Sequence, residues 1–475
     1  MEQPHSTGAD PRFTDMHDAF HAANLAAWAN PHPSARERQD ALRTLGRAIG
    51  DRTDDLLAAI ERDFGRRQKT ESLFAEIHVT VESFRHAAKH VAAWMRPRPR
   101  RVGLEMGFGK AWVQPQPLGV VGVVAPWNYP LFLALGPVAG AIAAGNRVLV
   151  KPSELTAHTS ALIAEIIASA VPSDQVRVIQ GDAEISSAFC ALPFNHLIFT
   201  GSERIGKLVM KAAAENLTPV TLELGGKSPA IVLPDADLTK AGQDIAFGKF
   251  INAGQTCVAP DYVLVQEAQL EELLQRIKAA TATYFSDADG QPALTAVFGA
   301  NGRARQETLI AEARARGTRI EPLTAHPMPD LSFAPSAVVN PPADLRLVHE
   351  EIFGPILPIL TYRAVEDAYA YVRTRPRPLA LYVFGRAPTL IDRAVRTIAA
   401  GGMVINDTLV HVGIEDLPFG GVGASGMGCY HGRDGFDRFS HLKAVFHRGS
   451  PRLDHLIRPP LRAWQERIAR FLINR

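Results

Sequence analysis

The sequence predicts an α/β fold with parallel sheets, divided among two or three domains. Its 475 residues are about three times the usual length of one domain. From about residue 118, short apolar runs alternate with helical patterns, and the same alternation continues from about 227 to 400. This alternation is typical of parallel strands joined by crossover helices.

The strands are predicted at short apolar runs bounded by turn residues. In the first region these runs are VGVV, RVLVKPSE, VRVIQG, HLIFTGS and TLELGG, the last of which is followed by AIVL. In the second region they are YVLV (262–265), ILPIL (356–360) and ALYVF (380–384).

The segments around these two regions have a different character. The first hundred residues are predicted to be helical, with Ser34 and Glu37 spaced as a capping box and Gly50 as the stop of that helix. The polar, proline-broken stretch WVQPQPLG (112–119) indicates an exposed ribbon. After about residue 401 the chain is rich in glycine and then becomes basic.

The stretch from Leu118 to Gly145 is uncharged and long enough to cross a bilayer. Pro126, Pro130 and Pro137 interrupt it, which argues against a membrane span. We therefore predict a buried strand at 118–124, a turn at APWNYP and a helix at 131–145.

Composition argues against several classes of function. The 51 basic and 49 acidic side chains leave a net charge of +2, so no nucleic-acid partner is expected. Three widely spaced cysteines argue against a disulfide framework and for a reducing compartment. The N-terminal residues lack a signal-peptide pattern, so the cytoplasm is the expected location, and no metal is expected.

Cys257 is the candidate nucleophile. It lies in GKFINAGQTCVAPDY, where Gly254 precedes it by three residues. Most buried cysteines are inert, so a filler role is the alternative interpretation. A nucleophile needs an accessible thiolate and nearby N–H donors for an oxyanion, which a glycine-containing loop beside a helix end can supply.

Two further polar residues lie in apolar surroundings. Glu223, in TLELGGKSPAIV, ends an apolar strand, and it is either satisfied by backbone N–H groups or a general base whose pKa is raised by burial. Asn128, in APWNYP, either bonds the backbone of its turn or points its NH₂ group at a developing oxyanion.

A phosphate site is predicted at FTGSERIGKLV, a strand followed by Gly201 and Ser202 at the start of a helix. Its GxxxxGK spacing mimics a nucleoside triphosphatase loop, but Leu208 stands where that motif requires Ser or Thr, so we reject that function. Lys151 and Glu154 follow another strand, at the edge where open α/β sheets bind ligands, although charges there are commonly only solvated.

Seven motifs taken together resemble the aldehyde dehydrogenase superfamily. In chain order they are APWNYP, KPSE, FTGS, LELGGKSP, GQTC, EEIFGP and PFGGVGASGMG, and the resemblance runs from about residue 15 to 446. It implies the aldehyde dehydrogenase fold: a Rossmann-like cofactor domain, a second α/β catalytic domain and a small β oligomerisation element.

The resemblance also implies domain boundaries. Residues 1–97 and 117–224 would bind a dinucleotide, and residues 225–400 would form the catalytic domain with the nucleophilic cysteine. Residues 98–116 and 401–450 would form the oligomerisation element, and 451–475 an amphipathic, basic tail.

The resemblance implies a role for each candidate residue. Cys257 would be the nucleophile, Glu223 the general base, and Asn128 with the Cys257 N–H the oxyanion hole. Thiolate attack on an aldehyde would give a thiohemiacetal, hydride would pass to a nicotinamide, and water activated by Glu223 would hydrolyse the thioester. The implied cofactor contacts are Lys151 and Glu154 at the adenosine ribose, Gly201 and Ser202 at the pyrophosphate, and Glu351 and Phe353 at the nicotinamide ribose and ring, and Trp127 is a further implied cofactor contact.

Three stretches are most similar to the class 3 branch, and within it to coniferyl aldehyde dehydrogenases: GKFINAGQTCVAPDY, INDTLVHVGIEDLPFGG and SGMGCYHGRDGFDRFSH. The leading substrate is therefore coniferyl or a related aromatic aldehyde, with a medium- or long-chain aliphatic aldehyde as the alternative. Glu154 favours NAD because a carboxylate repels a 2′-phosphate, but class 3 relatives use both cofactors, so NADP stays open. Those relatives are typically dimers, which implies a homodimer.

The C-terminal tail has an amphipathic pattern in RPPLRAWQERIARFLINR (458–475). It indicates either peripheral membrane contact through 459–475 or docking of an amphipathic helix on its own chain or a partner subunit. The apolar stripe is Leu461, Trp464, Ile468, Phe471 and Leu472, and the charges are Arg462, Arg467, Arg470 and Arg475.

Two rival functions remain. A CoA-acylating aldehyde dehydrogenase would pass the acyl group to a thiol, but such relatives generally lack the ELGG carboxylate, so Glu223 argues against it. A non-catalytic structural member of the fold would have lost its nucleophile, whereas Cys257, Glu223 and Asn128 are all present.

Overall fold

The computed structural model describes residues 10–103, 108–286, 293–324, 333–450, 458–460 and 462–474. Its α-helices are α1 (Pro11–Ala29), α2 (Ala35–Asp51), α3 (Thr53–Phe64), α4 (Lys69–Ser72), α5 (Val79–Trp94), α6 (Phe132–Ala144), α7 (Ala157–Ala170), α8 (Ala183–Cys190), α9 (Glu203–Ala214), α10 (Leu238–Phe250), α11 (Leu270–Tyr284), α12 (Gly299–Ala315), α13 (Arg346–His349), α14 (Val365–Arg373), α15 (Pro388–Thr397), α16 (Gly432–Arg438) and α17 (Ala463–Ile473).

The strands are shorter than most of the helices. They are β1 (Arg98–Arg100), β2 (Lys110–Pro117), β3 (Val120–Val124), β4 (Arg147–Lys151), β5 (Val176–Val178), β6 (His196–Gly201), β7 (Val220–Leu224), β8 (Pro229–Val232), β9 (Tyr262–Gln266), β10 (Arg319–Pro322), β11 (Ser336–Val339), β12 (Ile356–Tyr362), β13 (Ala380–Phe384), β14 (Gly402–Ile405), β15 (Gly426–Met427) and β16 (Ser440–His447). A π-helix spans Leu73–His78, and 3₁₀ turns span Ile251–Gly254, Glu267–Gln269 and Val410–Gly413.

The first sheet has six strands in the order β15-β7-β6-β3-β4-β5. Its strands are parallel except β15, which pairs antiparallel with β7. The chain leaves β3 toward β4 and β5 on one side and then returns to β6 and β7 on the other side. The carboxyl end of β3 is therefore a switch point, where open α/β sheets bind ligands.

The second sheet has seven strands in the order β10-β11-β12-β9-β8-β13-β14, parallel except for the edge strand β10. A third sheet joins β1, β2 and β16 as an antiparallel ribbon. The β-branched and aliphatic runs of the two large sheets are buried under helices, which is why those strands read as continuous apolar runs. The predicted α/β fold class is confirmed.

The local predictions in the first half of the chain are confirmed, with one difference at a helix end. The capping box is present: Ser34 N–H donates to Glu37 Oε2 at 2.7 Å, and Glu37 N–H donates to Ser34 Oγ at 3.3 Å. α2 ends at Asp51, one residue beyond Gly50. Pro137 lies inside α6 and does not end it, because that helix is buried along most of its length and packing outweighs the lost hydrogen bond.

The segment 401–450 does not form a single β element, which differs from the sequence-based boundary. β14 extends the seven-stranded sheet, β15 extends the six-stranded sheet, and β16 pairs with β2. The reason is that glycines at 401–402 and 420–428 allow close backbone approach, so this segment pairs with all three sheets in turn.

The tail helix α17 has an exposed apolar stripe. Trp464, Ile468 and Phe471 are 41%, 39% and 65% exposed, so the single chain does not bury them. Leu461 and Arg475 of the predicted pattern lie outside the described residues. Within the described ranges, no helix is both long and apolar enough to cross a membrane.

Candidate active site

Cys257 follows a stretch of strained backbone. Asn252, Ala253 and Gly254 all have positive φ, at 51°, 53° and 76°. A Cβ on Gly254 would lie only 2.4 Å from the carbonyl oxygen of Gly354, so glycine is required there. Left-handed conformations at non-glycine residues cost about 1–2 kcal/mol each and persist where surrounding contacts impose them. The thiol is therefore carried by a loop of fixed shape.

Hydrogen bonds from buried amides impose that shape. Asn252 Nδ2 donates to the Gln255 carbonyl at 3.1 Å, and Gln255 Nε2 returns a bond to the Asn252 carbonyl at 2.9 Å. Gln255 Nε2 also donates to the Ala296 carbonyl at 3.0 Å, and its Oε1 accepts from Phe298 N–H at 2.7 Å. Gln255 thus links the loop at 251–257, which we name the nucleophile loop, to the segment that precedes α12.

Asn128 lies in the turn after β3 and contacts the same loop. Its side chain is buried, and Nδ2 donates to the Gln255 carbonyl at 3.0 Å. The neighbouring Tyr129 hydroxyl is 2.6 Å from Thr256 Oγ1, which adds a second link next to Cys257. A primary amide has two N–H donors, so Asn128 keeps one for a ligand oxygen.

Glu223 is the penultimate residue of β7 and is buried with only 2% exposure. Among the residues that the structure describes, neither of its carboxylate oxygens has a hydrogen-bond partner, so a structural role satisfied by backbone N–H groups is not what the geometry shows. Burial raises the pKa of Glu223 well above its ordinary value, and the Arg438 charge lowers this pKa only in part. A carboxyl group whose pKa is raised in this way is suited to general acid–base catalysis.

Two cavities meet at Cys257 and Glu223. Leu133, Thr200, Glu223 and Cys257 line both of them. One, which we name the Trp127 cavity, has a volume of about 380 Å³, and the other, which we name the Phe419 cavity, has a volume of about 260 Å³. A molecule in each cavity would therefore meet at the thiol.

The Trp127 cavity contains five of the seven predicted cofactor contacts. Trp127, Gly201, Ser202, Glu351 and Phe353 all line it. The Trp127 ring is edge-on to Phe353, with ring centroids 5.6 Å apart. Ser202 caps α9, whose N-terminal N–H groups suit a phosphate, and a Cβ on Gly201 would lie 2.5 Å from the Phe199 ring. These residues fit a dinucleotide.

Glu351 is held against the glycines that follow Glu223. A Cβ on Gly225 would overlap the Glu351 carboxyl group, and the Gly226 N–H bonds it. Burial and the Asp261 charge raise the pKa of Glu351 to about 8. Its loop is fixed by Arg305, which donates to the carbonyls of Glu351 and Ile352, both at 2.6 Å.

Lys151 and Glu154 are the predicted residues that the structure does not bring to the thiol. Neither lines the Trp127 cavity or the Phe419 cavity. Lys151 Nζ donates to the Pro152 carbonyl at 2.8 Å and lies 3.5 Å from a Glu154 oxygen. Both follow β4, beside the strand that leads to Asn128, so they share the edge of the sheet at which the cavities open.

The Phe419 cavity is almost entirely apolar. Apart from Glu223, no charged side chain of the described residues lines it, and its wall includes six aromatic rings. The π-helix, the start of α6 and the loop after β14 all contribute to that wall. The aromatic residues are Phe74, Tyr129, Phe132, Phe247, Phe419 and Tyr430.

Several of these site residues were missed from the sequence. Gln255, Thr200, Phe419 and Tyr430 lie within or beside the quoted motifs, so their motif position was a usable signal. Other wall residues come from segments that carry no motif and reach the site only through tertiary packing. These are Phe74, Val79, Phe247, Phe298 and Arg305.

The thiol of Cys257 is predicted to react slowly when no ligand is bound. Burial raises its pKa to about 12, with further increases from the charges of Glu351 and Glu223, while backbone N–H groups of Cys257 and Val258 lower it. Because only the thiolate is alkylated, the rate of iodoacetamide reaction at Cys257 should rise about tenfold per pH unit from pH 6 to 8. Mass spectrometry of the Cys257 peptide measures this rate.

Glu351→Gln is the matched variant for this measurement of alkylation rate against pH. Above pH 8 the slope should flatten, since ionised Glu351 opposes formation of the thiolate. In Glu351→Gln the slope should stay unbroken and the rate at pH 9 should be higher. A plateau below pH 8 in the unaltered protein would mean that the free thiol is already activated, contrary to this prediction.

Comparison with known proteins gives one consistent result. The model of the aldehyde dehydrogenase family matches residues 4–445. The chain is 46% identical over 444 residues to a probable coniferyl aldehyde dehydrogenase of Pseudomonas aeruginosa, covering 93% of each chain. It is 42% identical over 412 residues to a coniferyl aldehyde dehydrogenase of Pseudomonas sp. strain HR199, covering 85% of each.

The architecture agrees with the sequence comparison. A solved structure described as the substrate-bound state of Staphylococcus aureus AldH superposes with a TM-score of 0.90 at 36% identity, covering 96% of this chain and 99% of that one. The family model spans most of the chain, including the half-buried thiol, the carboxyl group and the amide described above. This chain is therefore an enzyme of the aldehyde dehydrogenase family.

Proposed function

We propose that this enzyme oxidises an aldehyde to a carboxylic acid with NAD(P), through a thioester on Cys257. The observation that carries the proposal is the meeting of the two cavities at Cys257 and Glu223, with the Asn128 amide tied to the same loop. An aldehyde in the Phe419 cavity and a dinucleotide in the Trp127 cavity would reach the thiol from opposite sides.

In the first half of the reaction, the Cys257 thiol loses its proton to solvent, and Sγ of the thiolate forms a bond to the aldehyde carbon while the carbonyl π bond breaks and its oxygen becomes an alkoxide. The free N–H of Asn128 and the Cys257 backbone N–H hold that oxyanion. The bound nicotinamide supplies the hydride acceptor for the next step. Trp127 and Phe353 flank the space beside the thiol, which limits where a planar ring can lie.

In the second half, Glu223 takes a proton from water, whose oxygen bonds to the acyl carbon. The carbon–sulfur bond then breaks, Cys257 leaves as a thiolate, and a free carboxylic acid is released. Glu223 lines both cavities and has no hydrogen-bond partner among the described side chains and backbone groups. A water molecule can therefore donate a hydrogen bond to its carboxylate. Glu223 also argues against transfer of the acyl group to CoA.

We propose NAD as the cofactor, with NADP as the alternative. Glu154 is 42% exposed in its side chain beside Lys151, where its oxygens could accept bonds from ribose hydroxyls and would repel a 2′-phosphate. Lys151 is buried next to Glu154, so that carboxylate partly neutralises its positive charge. The ratio of kcat/KM for the two cofactors tests this preference directly.

We propose coniferyl or a related aromatic aldehyde as the substrate. Six aromatic side chains line the Phe419 cavity and offer faces and edges for a conjugated ring. Two of the relatives described above carry the name coniferyl aldehyde dehydrogenase, which agrees with that lining. A medium- or long-chain aliphatic aldehyde is the second candidate because the same wall is almost entirely apolar.

An aldehyde panel separates the two substrates. Coniferyl aldehyde, benzaldehyde, hexanal and decanal are each tested with NAD and with NADP, following both reduced cofactor and released acid. The expected result is the highest kcat/KM for coniferyl aldehyde, with equal amounts of acid and reduced cofactor. A higher value for decanal would replace the aromatic proposal with the aliphatic one. Turnover that requires added CoA and yields acyl-CoA in place of free acid would refute hydrolysis.

The remaining assignments are proposals on the same basis. We assign the six-stranded sheet to cofactor binding, the seven-stranded sheet to the catalytic loop, and the β1–β2–β16 ribbon to contact between two subunits of a homodimer. The exposed stripe of α17 would then dock on the partner subunit or lie on a membrane surface. The cytoplasm stays the expected location.

A further inference from the structure

A buried ion pair contacts the turn at 125–130, which contains Asn128 and which we name the oxyanion turn. Arg67 and Glu76 both have side chains with no exposure, and Arg67 Nη1 lies 2.9 Å from Glu76 Oε1. Neither residue lines the Trp127 cavity or the Phe419 cavity, so the proposed reaction does not use them directly. Removing two charges from water is costly, which raises the question of what this pair does.

The pair holds both ends of the segment that contains Asn128. Arg67 Nη1 donates to the Asn128 carbonyl at 3.2 Å. Glu76 Oε2 accepts from the N–H groups of Leu131 and Phe132, both at 3.0 Å, and so caps the start of α6. One arginine thereby fixes the carbonyl of Asn128 itself, and one glutamate fixes the backbone three and four residues further along the chain.

Aromatic rings enclose the guanidinium group. Its central carbon lies 4.5 Å from the centroid of the Phe64 ring and 5.0 Å from that of Tyr129, which adjoins Asn128. Nε and Nη2 of Arg67 have no hydrogen-bond partner within the part of the chain that the structure describes. An arginine with unsatisfied buried donors is poorly explained as a stabilising residue, because each such donor costs about 1–3 kcal/mol.

The same carbonyl joins this pair to the nucleophile loop. The Asn128 carbonyl also accepts from Asn252 Nδ2 at 3.0 Å, and Asn252 N–H donates to Glu71 at 3.3 Å. Glu71 lies in α4, and Glu76 lies in the π-helix that follows it, a helix type that is frequent at functional sites. This segment therefore contacts the oxyanion turn and the nucleophile loop together.

We propose that Arg67, paired with Glu76, is a positioning residue that fixes the Asn128 amide for the oxyanion. The inference rests on the oxyanion role given to Asn128 in the proposed function. A displacement of about 1 Å in a catalytic group costs about 10²-fold in rate, so loss of the Arg67 contact should slow the step that forms the thioester.

The test is a double-mutant cycle on the burst of reduced cofactor. Arg67→Met should slow the burst rate by about 10- to 100-fold, and Asn128→Ala should slow it by about 10²-fold. Because Arg67 acts through Asn128, the double variant should be no more than about threefold slower than Asn128→Ala alone. A merely structural arginine would instead slow both backgrounds equally.

Two further variants test the same proposal if Arg67→Met folds poorly. Arg67→Lys keeps the charge and should recover part of the burst rate, and Glu76→Gln keeps an acceptor for the N–H groups of α6 while removing the ion pair. Arg38 is the matched control, since it is also buried and bonds the Pro33 and Ala143 carbonyls, far along α6 from Asn128. Arg38→Met should lower the melting temperature and leave the burst rate within about threefold.

The outcomes separate the two claims. An unchanged burst rate in Arg67→Met, or a full further loss in the Asn128→Ala background, overturns the positioning role alone. An unchanged burst rate in Asn128→Ala overturns the oxyanion role of Asn128 and this inference with it.

Discussion

Replacing Cys257 with alanine is expected to lower kcat/KM for aldehyde oxidation by at least about 10⁴-fold, a loss of about 5.5 kcal/mol of transition-state stabilisation. The change removes the atom that bonds to the aldehyde carbon, and neither Asn128 nor Glu223 can replace that bond. Steady-state rates of reduced-cofactor formation measure the loss.

The binding of the cofactor serves as the control for this variant. Cys257 is only one of the many residues that line the Trp127 cavity, so quenching of tryptophan fluorescence by NAD should give a dissociation constant within about threefold of the unaltered enzyme. Cys190 offers a matched substitution, because it is buried in a separate apolar cluster, and Cys190→Ala should retain activity. More than about one per cent of the original kcat/KM in Cys257→Ala would contradict the nucleophile assignment.

The second large effect is expected for Glu223→Gln. This variant should give a burst of reduced cofactor equal to one equivalent per active site, followed by a steady state about 10²- to 10⁴-fold slower. The amide keeps the shape of the side chain but cannot take a proton from water, so the thioester accumulates. Stopped-flow absorbance resolves the burst from the steady state.

The pH dependence of the steady state gives an independent check on Glu223. Its pKa is raised by burial, so the protonated form persists above the ordinary range and the rate of thioester hydrolysis should increase as pH rises and the carboxylate forms. Glu223→Gln should lose that dependence, and Glu223→Asp should keep it at a lower rate. If the burst itself disappears while aldehyde and cofactor still bind, Glu223 also acts before the thioester forms.

Much of this site could be predicted because its residues violate local patterns. Glu223 is a charge at the end of an apolar strand, and Asn128 is a polar residue between prolines, so each stands out in the amino-acid sequence itself. The order of motifs then placed both residues with Cys257. The parallel sheets followed from the alternation of apolar runs with helical patterns, since that period depends only on neighbouring residues.

The rest depended on packing that no short pattern encodes. Arg67, Phe298 and Arg305 lie in segments without a motif and reach the site only when distant elements fold together. The glycine-rich segment after residue 401 reads as one element, although hydrogen bonding divides it among three sheets.

The most direct measurement is the mass of the Cys257 peptide after Glu223→Gln has been mixed with aldehyde and NAD and quenched in acid. The account predicts that the peptide gains the mass of the aldehyde less two hydrogen atoms, as a thioester requires, and that omitting NAD abolishes the gain. An unmodified Cys257 at the end of the burst, or an acyl group on Cys190 or Cys429, would contradict it.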